Sequence, residues 1–192
     1  MIILLTCIIF FIGHGKKAWN KSTLIISDSM FSYLPEMKNT EKHSIGGLTS
    51  GRLIGKIVNK LFPLRDPRNI LIHVGTNDIN SLSVSAFEAN MKIIIEKIKI
   101  ANPSCTLILS SVLPRLVDFR LTNLKVSNFN EKLQELASST NNNVRYMACE
   151  KSFFDRKYGR PISALFSKDK LHLSVAGLNK IYSFIANTLA HL

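Results

Sequence analysis

Acidic residues are scarce in this chain: 13 Asp and Glu stand against 25 Lys and Arg in 192 residues, a formal net charge of +12. Such a field disfavours cationic partners and favours anionic ones, whether nucleic acid, acidic lipid or an anionic substrate. The basic residues are scattered from Lys16 to Lys180, with a loose enrichment from Arg145 to Lys170. No arginine-rich arm and no aromatics interleaved with bases are present, so no dedicated nucleic-acid motif is written in the chain. Cysteine is scarce too. Cys7, Cys105 and Cys149 show neither a CxxC nor metal-ligand spacing, which argues against a disulfide framework and against a zinc site. Cys105 opens a predicted strand, where a buried free thiol is the ordinary reading. A Cys105–Cys149 bridge is the alternative for a secreted chain. Internal repeats and low-complexity stretches are lacking, which excludes solenoids and arrays.

No apolar run reaches the ~20 residues of a typical membrane-spanning helix. The longest, Met1 to Ile12, has the length of a signal-peptide core, and Gly13 and Gly15 suit a cleavage point. No Lys or Arg precedes it. A signal peptide, a short anchor, an extra strand and a misassigned start all stay open. The compartment follows that choice: secreted if Met1–Gly15 is a signal peptide, intracellular otherwise. Residues 1–21 are therefore read as an apolar leader and linker, and 22–192 as one domain. The apolar fraction of 46% and charged fraction of 20% are those of a globular chain with a full core.

Apolar strands alternate with helices along that domain. Thr23–Ser27 and Ile70–Val74 read as buried strands, Glu41–Ile45 as a weak one, and Thr106–Leu109 and Val144–Met147 as two more. Between them, Thr49–Leu61, Val84–Ala101 and Leu124–Ser138 carry helical apolar spacing, and Val175–Leu189 closes the chain behind a Ser174 cap. This alternation predicts an α/β fold, a parallel sheet covered by helices on both faces. Ligands of such folds sit beyond the carboxyl ends of the strands. The polar residues that follow the strands are therefore the informative ones.

Acyl transfer needs a nucleophile, a base, a group that orients the base, and donors for the oxyanion. Ser29 lies at a strand-to-helix turn, where its hydroxyl can be exposed and its N–H can point outward. Asp169 stands three residues before His172, a spacing that lets one turn bring the carboxylate to Nδ1 and leave Nε2 free to accept a proton. Gly47 offers an unshielded backbone N–H, and Asn77 a side-chain amide. Each also has a plain structural reading: a helix cap, a turn, an Asx-turn, a surface pair. Those readings do not explain why all the features fall in order at one end of one predicted sheet. Arg115, Arg120, Arg156 and Arg160, on the segments Leu113–Thr122 and Ser152–Ser167, are read as solvated surface, with contact to an anionic substrate as the alternative.

The chain carries Ser27-Asp28-Ser29-Met30, Gly46-Gly47, Gly75-Thr76-Asn77-Asp78 and Asp169-Lys170-Leu171-His172. In this it resembles the SGNH (GDSL-type) hydrolases, whose four blocks follow that order, and among them animal and retroelement-associated SGNH esterase domains. Ser27 stands where the family has glycine, and Met30 where it has leucine. The resemblance implies a three-layer α/β/α, flavodoxin-like SGNH hydrolase fold over residues 22–192, with a five-stranded parallel sheet in the order 2-1-3-4-5. It implies a serine esterase acting on acetylated sugars, lipids or similar esters through an acyl-enzyme. Ser29 would be the nucleophile, His172 the base and Asp169 its orienter. The Ser29 N–H, the Gly47 N–H (preferred over Gly46) and the Asn77 side chain would form the oxyanion hole, with no metal or cofactor. Asp78 would brace its loop. The alternative is an inactive SGNH-fold binding module that uses its basic surface for nucleic acid or anionic membrane.

Overall fold

The computed structural model describes residues 21–139, 143–155 and 157–192. The apolar run Met1–Ile12, its candidate cleavage glycines, Cys7 and Arg156 lie outside the described residues. Five strands, β1 (Thr23–Ser27), β2 (Thr40–Ser44), β3 (Asn69–His73), β4 (Thr106–Ser110) and β5 (Val144–Met147), form one parallel sheet in the order β2-β1-β3-β4-β5. Helices α1 (Ser50–Val58), α2 (Val84–Ala101) and α3 (Phe119–Ser139) cover one face, and α4 (Val175–Ala190) covers the other. A small antiparallel pair, β6 (Phe154–Asp155) and β7 (Arg160–Pro161), lies outside the main sheet. The α/β class, the three layers and the strand order agree with the sequence-based expectation.

Alternation along the strands builds the two cores. Leu24 and Ile26 of β1 join Ile70, Ile72, Leu107 and Leu109 beneath α1–α3, whereas Ile25, Leu71 and Ile108 point to α4. The central strands are buried on both faces, as a parallel sheet between helical layers requires. β2 is an edge strand, and its sequence Thr-Glu-Lys-His-Ser is half-exposed throughout, a polar edge that resists strand addition. Thr49, Ser83 and Ser174 cap α1, α2 and α4 by accepting from Arg52, Ala86 and Gly177 N–H. Cys105 and Cys149 are both buried and free, and they sit in different cores. The alternative bridge between them is thereby corrected.

Two helix limits differ from expectation. α1 ends at Val58, three residues short of Leu61, because Lys60 adopts φ 56°. The Lys60 N–H then donates to Ile57 O and the Leu61 N–H to Lys56 O, a Schellman stop made without glycine. α3 begins at Phe119 and not at Leu124, because Asp118 O accepts from Leu121 and Thr122 N–H. The segment Leu113–Thr122 is thus partly helical. Among the described residues no helix is long and apolar enough to cross a membrane.

Gly177, in the first turn of α4, touches the chain that precedes the helix. A Cβ there would collide with the Leu165 carbonyl oxygen and crowd Leu173 Cβ at 3.2 Å. Ser174 N–H also donates to Leu165 O (3.0 Å), so α4 and residues 165–174 form one tight unit. Gly177→Ala is expected to cost about 1–3 kcal/mol of stability by overpacking, read as a lower melting temperature in thermal unfolding. A variant as stable as the wild type would show that this contact relaxes freely.

Candidate active site

The parallel register brings the ends of three strands level. Ser27 pairs with Ser44 of β2 and with His73 of β3, so the segments that follow all leave the sheet from one line. Ser29 follows β1 by two residues and opens a single 3-10 turn, Ser29–Phe31. Asp28 caps this turn, its Oδ1 accepting the Met30 N–H at 2.9 Å. Ser27, in the family's glycine position, is fully buried, and its hydroxyl exchanges a 2.8 Å hydrogen bond with the Ser44 hydroxyl. The larger residue is thus accommodated with its polar atom satisfied.

His172 approaches from the loop before α4. Its Nε2 lies 3.0 Å from Ser29 Oγ, and its Nδ1 lies 2.6 Å from Asp169 Oδ2. Ionised Asp169 accepts only, so Nδ1 carries the proton and Nε2 accepts from the Ser29 hydroxyl. The other oxygen, Oδ1, accepts from the Ser167 hydroxyl and from the Leu171 and His172 N–H groups. The Ser167 hydroxyl, then the His172 ring and the Leu171 N–H, hold this carboxyl well below the usual carboxylate range. Lys170 takes φ 60°, which folds the four-residue turn tightly enough for the carboxylate to reach back to the ring.

Gly47 and Asn77 lie on the neighbouring loops. Gly47 adopts φ 61°, a conformation that favours glycine, whereas Gly46 does not. Arg52 Nη1 donates to the Gly47 carbonyl at 2.7 Å and pins the loop. Asn77 Nδ2 donates one hydrogen to Leu48 O (3.0 Å), tying the β3 loop to the β2 loop one residue past Gly47. A second amide hydrogen stays available. Asp78 braces the same junction: its carboxylate accepts from the Ser50 N–H and hydroxyl at the start of α1. Gly75 has φ 131°, and a Cβ there would meet Val112 Cγ2 at 2.6 Å. The structure thus joins Ser29, His172 and Asp169 directly. It sets Gly47 and Asn77 on the loops at the same end of the sheet.

Two supporting side chains, Lys42 and His73, escaped the sequence reading, and a third, Arg115, was read differently. Arg115 is mostly buried; it donates to Thr76 O (3.0 Å) and pairs with Asp118 (2.6 Å). Its expected role as solvated surface is corrected: it braces the loop that carries Asn77. Lys42 shares the face of Ile25, its register partner, and donates to Ser32 O (2.9 Å) and Leu34 O (2.8 Å), clamping the segment behind Ser29. Burial lowers the pKa of this ammonium. His73 is fully buried, stacked on Phe31 with centroids 4.1 Å apart. A β-branched strand pattern carries no signal for such contacts. Among the described residues no group of three His, Cys, Asp or Glu is gathered as metal ligands.

Residues 29–179 match the family of GDSL-like lipases and acylhydrolases. The chain belongs to this family. It is a GDSL-type hydrolase, an esterase or lipase by class, and its fold recurs in solved structures. One, from Streptococcus pneumonia and named for platelet activating factor, is 25% identical over 91% of this chain and 86% of that chain, with a TM-score of 0.79. A Bacteroides fragilis protein named as an acylhydrolase is 17% identical, covering 88% of this chain and 86% of its own, with a TM-score of 0.74. A GDSL-like lipase from Bacteroides thetaiotaomicron is 16% identical, covering 90% and 89%, with a TM-score of 0.72. No curated protein matches the sequence.

In this GDSL-type hydrolase two buried titratable groups with opposed pH responses lie behind Ser29. Burial pushes Asp28 up from 3.8 to about 7, with the Met30 N–H and the nearby Thr76 hydroxyl pulling less strongly the other way. Burial pushes His73 down from 6.5 to about 3. His73 Nε2 stands 3.9 Å from Asp28 Oδ1, so between about pH 3 and about pH 7 these are neutral neighbours and not an ion pair. As pH rises from 3.8 to about 7 the folded state keeps a proton on Asp28 that the unfolded chain has lost, and Asp28 subtracts stability. His73 acts in reverse: as pH falls from 6.5 towards 3 the unfolded chain gains a proton that the folded state refuses. Asp28→Asn removes the first response and leaves the second. Its stability relative to the wild type should therefore climb between about pH 4 and about pH 7 in urea unfolding. Parallel curves for the two proteins would contradict this.

Proposed function

We propose that this chain hydrolyses carboxylic esters of small molecules or lipids, acetylated sugars among them, through an acyl-enzyme on Ser29. The observation that carries the reading is the unbroken line from Asp169 to His172 (2.6 Å) to Ser29 (3.0 Å). The Ser29 oxygen bonds to the ester carbonyl carbon while His172 Nε2 takes its proton, and the carbonyl electron pair moves onto oxygen. Asp169 holds the Nδ1 proton and stabilises the imidazolium. The Ser29 N–H, the Gly47 N–H and the remaining Asn77 amide hydrogen are the donors for that oxyanion. When the carbonyl re-forms, the bond to the alcohol breaks. The alcohol oxygen leaves with the electron pair and receives the proton from His172. Water then attacks the acyl-enzyme by the same route in reverse, His172 taking its proton and returning it to Ser29.

A catalytically silent module that binds nucleic acid or anionic membrane is the second reading, favoured by the net charge of +12. A fluorophosphonate probe separates the two. It is expected to label the wild type and not Ser29→Ala, with both proteins giving the same far-UV circular dichroism. A wild type that takes no label and leaves p-nitrophenyl acetate intact would overturn the esterase reading. Asn77→Ala is expected to lower kcat about 10²–10³-fold, with a much smaller change in KM. Equal loss in KM and no loss in kcat would remove Asn77 from the oxyanion role.

A further inference from the structure

A groove of about 800 Å³ opens at Ser29 and runs past His172. One wall is the segment behind the serine turn, with Ser32, Tyr33 and Pro35. The other is the start of α4, with Leu173, Val175 and Leu178. Neither Gly47 nor Asn77 lines it. Their loops lead into α1 and α2, and Leu48, Leu53 and Phe87 belong to the core under those helices. Met30, Leu34, Leu173 and Leu178 belong to the core under α4. The groove therefore leaves Ser29 on the side of the sheet away from the Gly47 and Asn77 loops. It is bordered by aromatic and aliphatic side chains that solvent still reaches: Tyr33 is 81% exposed and Val175 75%.

Resting on the reading of Ser29, His172 and Asp169 given above, we propose that this groove takes the alcohol portion of the ester. The preferred substrates are then esters of bulky apolar alcohols, with Tyr33 and Val175 as specificity determinants. The chemistry fixes the direction. When the tetrahedral intermediate collapses, the breaking C–O bond leaves its electron pair on the alcohol oxygen. The proton that completes the alcohol comes from His172 Nε2. That oxygen must lie within hydrogen-bond reach of Nε2. The carbonyl oxygen must lie among donors on the other side of Ser29. The alcohol carbons are thereby led past His172 and into the groove, where Tyr33 and Val175 cover them. The acyl carbons leave the reacting centre in a third direction and gain nothing from these walls.

Two substrate series test this with the full chain. Ethyl, butyl and hexyl acetate vary the alcohol; ethyl acetate, butyrate and hexanoate vary the acid. Each methylene taken from water is worth up to about fourfold, so hexyl acetate is expected to exceed ethyl acetate in kcat/KM by about tenfold or more. The acid series should change far less. In the double variant Tyr33→Ser, Val175→Ser the hexyl-to-ethyl ratio should fall to about threefold or below. Both side chains are exposed, so the fold is expected to survive, and circular dichroism checks it. A flat alcohol series, a preference carried by the acid series, or a ratio unchanged in the folded double variant would each overturn the proposal while p-nitrophenyl acetate is still hydrolysed. No turnover of any ester and no probe labelling would overturn the esterase reading, and this inference with it.

Discussion

One hydrogen bond, from Ser29 Oγ to His172 Nε2, spans 143 residues of sequence, and the site exists only while both ends are held. An error of about 1 Å between such groups costs on the order of a hundredfold in rate. The serine end is fixed by β1, which two strands flank in register, and by the Lys42 clamp on Ser32 and Leu34. The histidine end has no strand of the main sheet to lean on. It is fixed by a Phe166–Leu173 bridge, by Val117 N–H donating to Lys170 O, and by the close seating of Gly177 against Leu165. The stability of α4 and the aim of the imidazole are thus one problem.

Burying so many polar groups at the carboxyl end of the sheet carries a cost that the fold offsets locally. Asp78 is buried, and its carboxylate accepts from the Ser50 N–H, shared between both oxygens, and from the Ser50 hydroxyl at the positive end of α1; these pull its pKa down, but less than burial raises it. Arg115 offsets part of its burial with Thr76 O and Asp118, while its buried Nε–H has no partner among the described residues. Asp28 and His73 likewise lean to their neutral forms, and burial in an apolar setting drives each in that direction. The serine turn therefore rests on a neutral floor, and the charged carboxylate of the site, Asp169, is the one left half in solvent.

The four motif blocks were legible because each is short, local and built from residues with few alternatives at a strand end. The helical spacing of Val126, Phe129, Leu133 and Leu136 likewise foretold which side of α3 is buried. The start of α3 was not legible, since Leu121 and Leu124 break the apolar pattern by facing solvent. The end of α1 was hidden because a lysine occupies a conformation usually given to glycine. Lys42 and Arg115 were misjudged or missed for a further reason. Whether a long cationic side chain points to water or to a loop carbonyl depends on strand register and loop path, neither of which its own neighbours in sequence encode.

The Ser27–Ser44 hydroxyl pair ties the first residue of the serine motif to the edge of the sheet. The two positions are cross-strand partners, and each hydroxyl answers the other inside the sheet. Glycine at 27 would remove that partner and leave the Ser44 hydroxyl, half-exposed on the edge strand, to solvent. The departure from the family pattern at position 27 is thus absorbed within the sheet, by a hydroxyl on the edge strand, and is not passed on to the turn that carries Ser29.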